Sequence, residues 1–146
     1  MIPKTGKVLD LACGGGRHAR LLLEIGHQVV AIDKDTSRVA DLEASCEVIE
    51  ADLEAPGSDP LAGRRFSGII VTNYLHRPIL AKLPDALENA GVLIYETFAD
   101  GNQRFGKPRN PDHLLKAGEL LDAVQGQLRV IAYEDLIVTE PRPAAV

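Results

Sequence analysis

Cysteine is scarce in this chain: its 146 residues hold two, Cys13 and Cys46. Two thiols make no disulfide framework. Neither stands at ligand spacing from the histidines at 18, 27, 76 and 113, so no metal is expected. Both cysteines read first as small, partly buried hydrophobes. Basic charge is also short. Sixteen Lys and Arg against 21 Asp and Glu give a net charge of −5 and a pI near 5.3. That balance disfavours a nucleic-acid partner, whose site normally carries a basic stripe, although a local basic patch lies around Arg104 to Arg109. No apolar run approaches the roughly 18 residues that span a bilayer, so no membrane partner is expected. Pro3, Lys4, Gly6 and Lys7 lead straight into an apolar stretch with no signal-like segment before it. The expected compartment is cytoplasmic. No repeat, low-complexity tract or linker divides the chain, and 146 residues bury a sizeable core as one domain, residues 1–146.

What is present is concentrated near the start. In Val8-Leu9-Asp10-Leu11-Ala12-Cys13-Gly14-Gly15-Gly16-Arg17-His18-Ala19 an apolar strand ends in an acid, and a glycine run opens into a helix. Glycines let backbone approach a ligand closely, since no Cβ intervenes. The helix behind them aims unpaired N–H groups and its positive dipole end at the same place. Asp10 stands at the carboxyl end of the strand, where open α/β sheets bind ligands.

Periodicity places the remaining elements. Strands are expected at residues 7–11, 28–32, 46–51, 67–72, 91–96 and 128–133, with Asp33 and Asp52 closing the second and third. Helices are expected at residues 19–25, from the caps Asp35, Thr36 and Ser37 through Ala44, and at residues 112–124. Residues 78–87 read as broadly helical, interrupted at Pro84. Ile69-Ile70-Val71 is a continuous β-branched run, as in a strand buried on both faces. This alternation predicts an α/β, three-layer sandwich with a mostly parallel sheet.

Two cofactor readings compete. Gly14-x-Gly16-x-x-Ala19, with Asp33 nineteen residues after Gly14, satisfies the dinucleotide fingerprint. In that fingerprint, however, the first glycine follows the strand almost at once, and here Asp10-Leu11-Ala12-Cys13 intervenes. The order acid-x-small-x-Gly-x-Gly resembles motif I of class I S-adenosylmethionine-dependent methyltransferases, which have a Rossmann-like fold. Tyr95-Glu96-Thr97-Phe98 and Gly106-Lys107-Pro108-Arg109-Asn110-Pro111 look like phrases of small bacterial enzymes related to the tellurite and thiopurine type.

The resemblance implies S-adenosyl-L-methionine as cofactor, with Asp10, Ala12, Gly14 and Gly16 around its methionine part. Asp33, followed by Lys34, matches the acid that takes the ribose hydroxyls, as two carboxylate oxygens can. Asp52 and Leu53 match the position beside the adenine. Asn73, Tyr74 and His76, in the loop after the fourth strand, match the segment that passes the sulfonium and faces the acceptor. Asn73 there orients the acceptor or touches the methyl group, Tyr74 packs against a ligand, and His76 is a candidate general base. Arg104, Lys107 and Arg109 offer cations to an anionic acceptor, or else pair with Glu119 and Asp122. The family's seventh, antiparallel strand has two candidates, residues 136–139 or a strand begun at Ala144. The helix that usually precedes the first strand is missing, which leaves a minimal protein and a trimmed chain both open.

The resulting expectation is methyl transfer to a small-molecule acceptor. Asn73 is followed by Tyr-Leu-His rather than by Pro-Pro-aromatic, which weakens a nucleic-acid amine as substrate. A nicotinamide-dependent oxidoreductase fragment and a non-catalytic cofactor-binding module are the rivals. Oligomeric state and acceptor identity are not written in the sequence.

Overall fold

The protein is described from a computed structural model, which covers residues 2–146. The chain forms two compact units. One comprises the residues up to Thr72 with Asp85–Tyr95, and the other Asn73–Pro84 with Glu96–Val146.

The first unit is built on a sheet. Its strands are β1 (Lys7–Leu11), β2 (Gln28–Asp33), β3 (Glu47–Glu50), β4 (Phe66–Thr72) and β5 (Leu87–Glu96), in the order β3-β2-β1-β4-β5. The β1–β2, β1–β4 and β2–β3 pairs are parallel, with Leu11 opposite Ile32 and Val71, and Asp33 opposite Glu50. Because neighbours run the same way, Asp10, Asp33 and Asp52 reach one carboxyl edge from adjacent strands.

Burial follows the apolar runs. Val8, Leu9, Leu11, Val30, Ile32, Ile69 and Val71 are fully enclosed, each worth roughly 1.5–3 kcal/mol relative to exposure. Helix α1 (Arg17–Glu24) turns Ala19 and Leu22 inward, where they pack with Val8, Val29, Ala31, Val39, Leu42 and Ile70. Leu21 and Ile25 stay on its outer side.

Four expectations need correction. Residues 37–42 wind as a 3₁₀ helix rather than an α-helix through Ala44. A spacing of three residues per turn stacks Val39 over Leu42, and both are buried. The stretch expected to be helical at 78–87 is α2 (Arg77–Leu80), then turns and a 3₁₀ segment Pro84–Ala86 that feeds β5 directly. The helix expected at 112–124 begins only at α3 (Glu119–Val124). Leu115 is extended and bridged to Ala99, and Gly118 at φ 76° holds a left-handed conformation that α-helix cannot continue through.

The sixth strand expected at 128–133 does not form. Its β-branched residues fit a half-buried pleated surface, but Val130 and Ile131 are exposed and no ladder takes them up. Instead β6 (Ile137–Val138) and β7 (Ala144–Ala145) pair antiparallel with each other in a separate two-stranded sheet of the second unit. Both candidates for the seventh strand are therefore strands, and neither joins the main sheet.

Candidate cofactor site

The glycine loop leaves β1 through a run of left-handed residues: Ala12 at φ 54°, Gly14 at 53° and Gly16 at 72°. Alanine at such a φ is strained by about 1 kcal/mol or more. Two backbone bonds hold the path, Cys13 N–H to the Ile32 carbonyl at 3.0 Å and Gly16 N–H to the Cys13 carbonyl at 2.8 Å.

Carboxylates hold both ends of the loop. Asp33 Oδ2 accepts the Gly14 N–H at 2.7 Å, and its Oδ1 accepts the Asp35 N–H at 3.1 Å. Asp10, only 1% exposed, accepts the Ala19 N–H at 2.8 Å through Oδ2. That N–H belongs to the first turn of α1, whose donors have no partner within the helix. Among the described residues, Asp10 Oδ1 accepts no hydrogen bond.

Burial raises the Asp10 pKa to about 6, and the Ala19 bond moderates the rise. Asp33 pushes it further up and Arg17 pulls it down. Burial, with Asp10 and Asp33 nearby, drives the Cys13 thiol up to about 12, so this cysteine stays protonated.

The two glycines of the motif, Gly14 and Gly16, differ in what surrounds them. A Cβ on Gly14 meets nothing within 4 Å, so the loop is open there. A Cβ on Gly16 falls 2.6 Å from Val39 Cγ1 and 3.2 Å from Leu42 Cδ1. Gly16 is therefore required by packing against the 3₁₀ helix, a reason that motif spacing does not reveal. Over Gly15 lies the Arg38 guanidinium, 3.0 Å from where a Cβ would stand.

Around this loop, Lys34 is exposed directly after Asp33. The Ala51 N–H binds the Asp33 carbonyl at 2.8 Å, joining the ends of β2 and β3. Asp52 is exposed and its Oδ1 turns back to the Glu54 N–H at 2.9 Å, while Leu53 is buried. The first unit thus brings Asp10, Ala12, Gly14, Gly16 and Asp33 into one hydrogen-bonded loop, with Asp52 and Leu53 at the end of the next strand.

Asn73, Tyr74 and His76 belong to the second unit. Asn73 is exposed at φ 55°, a conformation asparagine tolerates, and its N–H binds the Glu96 carbonyl at 2.9 Å. Tyr74 and His76 are half-buried. The His76 carbonyl accepts the Ile79 and Leu80 N–H groups at 3.1 Å each, so the residue starts α2 through its backbone.

Sequence reasoning missed two side chains. His18 Nδ1 lies 3.4 Å from Thr72 Oγ1, the last residue of β4, and its Nε2 lies 3.3 Å from Arg17 Nη2. Its place two residues after Gly16 was the available signal. Arg77, and not a cation of the 104–109 run, is the partner of Glu119.

A family model described as a methyltransferase domain matches residues 8–92. Among solved structures, TehB from Haemophilus influenzae superposes with a TM-score of 0.73 at 17% identity, covering 96% of this chain and 54% of that one. A TehB-like SAM-dependent methyltransferase from Corynebacterium glutamicum gives 0.61 at 23% identity, covering 83% and 64%. These two share the fold, an α/β Rossmann-like fold with a parallel sheet. The glycopeptide N-methyltransferase MtfA complexed with S-adenosyl-L-methionine gives 0.51 at 26% identity, covering 64% and 47%. This chain thus spans about half to two thirds of the structures it matches. No curated protein matches the sequence.

Proposed function

Because the chain belongs to the methyltransferase-domain family, we propose that it is a class I S-adenosylmethionine-dependent methyltransferase acting on a small-molecule acceptor in the cytoplasm. Residues 1–146 are read as one such domain, since the family match at 8–92 draws on both compact units. No helix among the described residues is long and apolar enough to cross a membrane. The phrases at 95–98 and 106–111 support placement near the tellurite and thiopurine type.

The observation that carries the reading is the loop held by two strand-end carboxylates. Open space over Gly14 and the unused Asp10 oxygen fit a ligand that bears cationic and hydroxyl groups. In this reading Asp33 keeps Gly14 in place and offers its remaining lone pairs to the ribose hydroxyls. Asp10 faces the ammonium, N–H groups of the glycine loop face the methionine carboxylate, and Lys34, Asp52 and Leu53 border the nucleoside. When bound, S-adenosylmethionine supplies a methyl group activated by positive sulfur.

The chain's own task is to hold an acceptor in line with that methyl group, and positioning can provide much of the rate. Asn73 orients the acceptor, Tyr74 packs beside it, and His76 takes a proton where the acceptor has one to lose.

Calorimetric titration with S-adenosylmethionine, S-adenosylhomocysteine and NAD tests the cofactor class. The first two bind and NAD does not. Asp33→Ala lowers S-adenosylmethionine affinity at least ~10-fold, as charged hydrogen bonds of about 1.5–3 kcal/mol each imply. Asp33→Asn keeps an acceptor for Gly14 and falls between. Unchanged affinity in Asp33→Ala overturns the ribose assignment. S-adenosylhomocysteine release from a screen of thiols, oxyanions and small phenols then identifies the acceptor.

A further inference from the structure

Between Glu96 and Glu119 the chain has almost no regular structure, only short 3₁₀ segments at Asn102–Arg104 and Pro111–His113 and the Ala99–Leu115 bridge. A stretch like this needs side chains to help fix it, and one guanidinium gathers its C-terminal part. Arg77 Nε donates to Glu119 Oε1 at 2.6 Å and Nη2 to Glu119 Oε2 at 3.0 Å, a two-pronged ion pair. Its Nη1 donates to the Asp112 carbonyl at 2.8 Å, and Nη2 also to the Leu114 carbonyl at 3.1 Å. The Glu119 carboxylate, 19% exposed, takes a third bond from the Lys116 N–H at 2.9 Å. Arg77 itself follows His76, whose carbonyl starts α2.

We propose that Arg77 is a positioning residue for the acceptor side, locking the Asn73–His76 loop and the 110–119 segment together as one piece. The proposal rests on the functional reading that this loop faces the acceptor. Geometry requires arginine here: a planar fork can meet a carboxylate with two N–H groups while its remaining donors reach carbonyls on either side. A lysine can keep the charge but cannot span Asp112, Leu114 and Glu119 at once. The strength of the pairing is consistent with the Glu119 pKa, which the hydrogen bond from Arg77 lowers first of all.

Amide hydrogen exchange on the whole chain, with and without S-adenosylhomocysteine, tests this. Arg77→Met raises exchange at least tenfold in both 73–80 and 110–119 and raises the KM for an acceptor found in the screen more than it lowers kcat, while affinity for S-adenosylhomocysteine stays within twofold of the parent chain. An unchanged acceptor KM overturns the positioning role. Glu119→Gln, which keeps the carbonyl bonds, raises exchange in the same two segments by less. Arg77→Lys restores part of the protection. The exchanged pair, Arg77→Glu with Glu119→Arg, does not restore it, because glutamate cannot donate to the Asp112 and Leu114 carbonyls. Faster exchange confined to 110–119, or full rescue by the exchanged pair, overturns the proposal. Failure of the unaltered chain to bind S-adenosylhomocysteine counts instead against the functional reading, so the two failures are distinct.

Discussion

At Asp10 the preference of the fold opposes the ligand role proposed for it. Its pKa rises from 3.8 to about 6 chiefly through burial, with the Ala19 bond opposing and Asp33 adding to the rise. In the unfolded chain the carboxyl ionises near 3.8. The folded state therefore gains most from Asp10 when it is protonated, below that value, and loses the gain as pH climbs through about 6. A rise from 3.8 to about 6 corresponds to roughly 3 kcal/mol at neutral pH. Asn at this position keeps an oxygen for the Ala19 N–H and carries no charge. Asp10→Asn should consequently melt higher than the parent chain at pH 8, the gap closing toward pH 4. Cofactor affinity should move the other way, since a bound ammonium favours the ionised carboxyl. Parent affinity rises between pH 5 and 7.5, and Asp10→Asn binds more weakly with a flatter profile. Thermal melts and titrations at those pH values read both effects, and a lower melting temperature for Asp10→Asn at pH 8 excludes the burial argument.

The glycine loop carries its lesson at the level of the element. Motif spacing treats Gly14 and Gly16 alike, yet a Cβ meets open space at the first and Val39 at the second. Gly14→Val should keep a cooperative fold, at a conformational expense of about 1–2 kcal/mol for its positive φ, and lose cofactor binding. Gly16→Val should lose stability first, by several kcal/mol from overpacking and strain together. Adding Val39→Ala should recover part of that in a denaturant melt; no recovery means that the clash is not the cause. The same contrast explains what was legible beforehand. Strands β1, β2 and β4 and the acids closing β1 and β2 follow from short apolar runs and turn chemistry, which are local. The packing of Gly16, the His18–Thr72 approach and the Arg77 fork depend on residues 23 to 54 positions apart, and no local pattern carries them. The absent strand at 128–133 is the converse case. Its composition suits a sheet, but a strand exists only where a neighbour supplies the ladder.

At the scale of the molecule the remaining irregularity is surface composition. With a net charge of −5 the chain carries modest self-repulsion, but Val130, Ile131, Leu136 and Ile137 stand exposed close together in sequence, Ile131 at 85%. Surface apolar groups clustered in this way favour association, and exposed extended segments can pair with one another. Replacing Ile131 by Lys removes the most exposed of them and breaks the apolar run. A side chain so open contributes little packing, so stability should change by no more than about 0.5 kcal/mol. Cofactor affinity should not change, because none of the residues proposed to hold the cofactor lies in this segment. Self-association, followed by sedimentation velocity over rising protein concentration, should weaken in Ile131→Lys, and added salt should lessen the difference by screening the new charge. A clear fall in melting temperature would instead mean that Ile131 packs against a neighbour in solution, and would overturn its role in association.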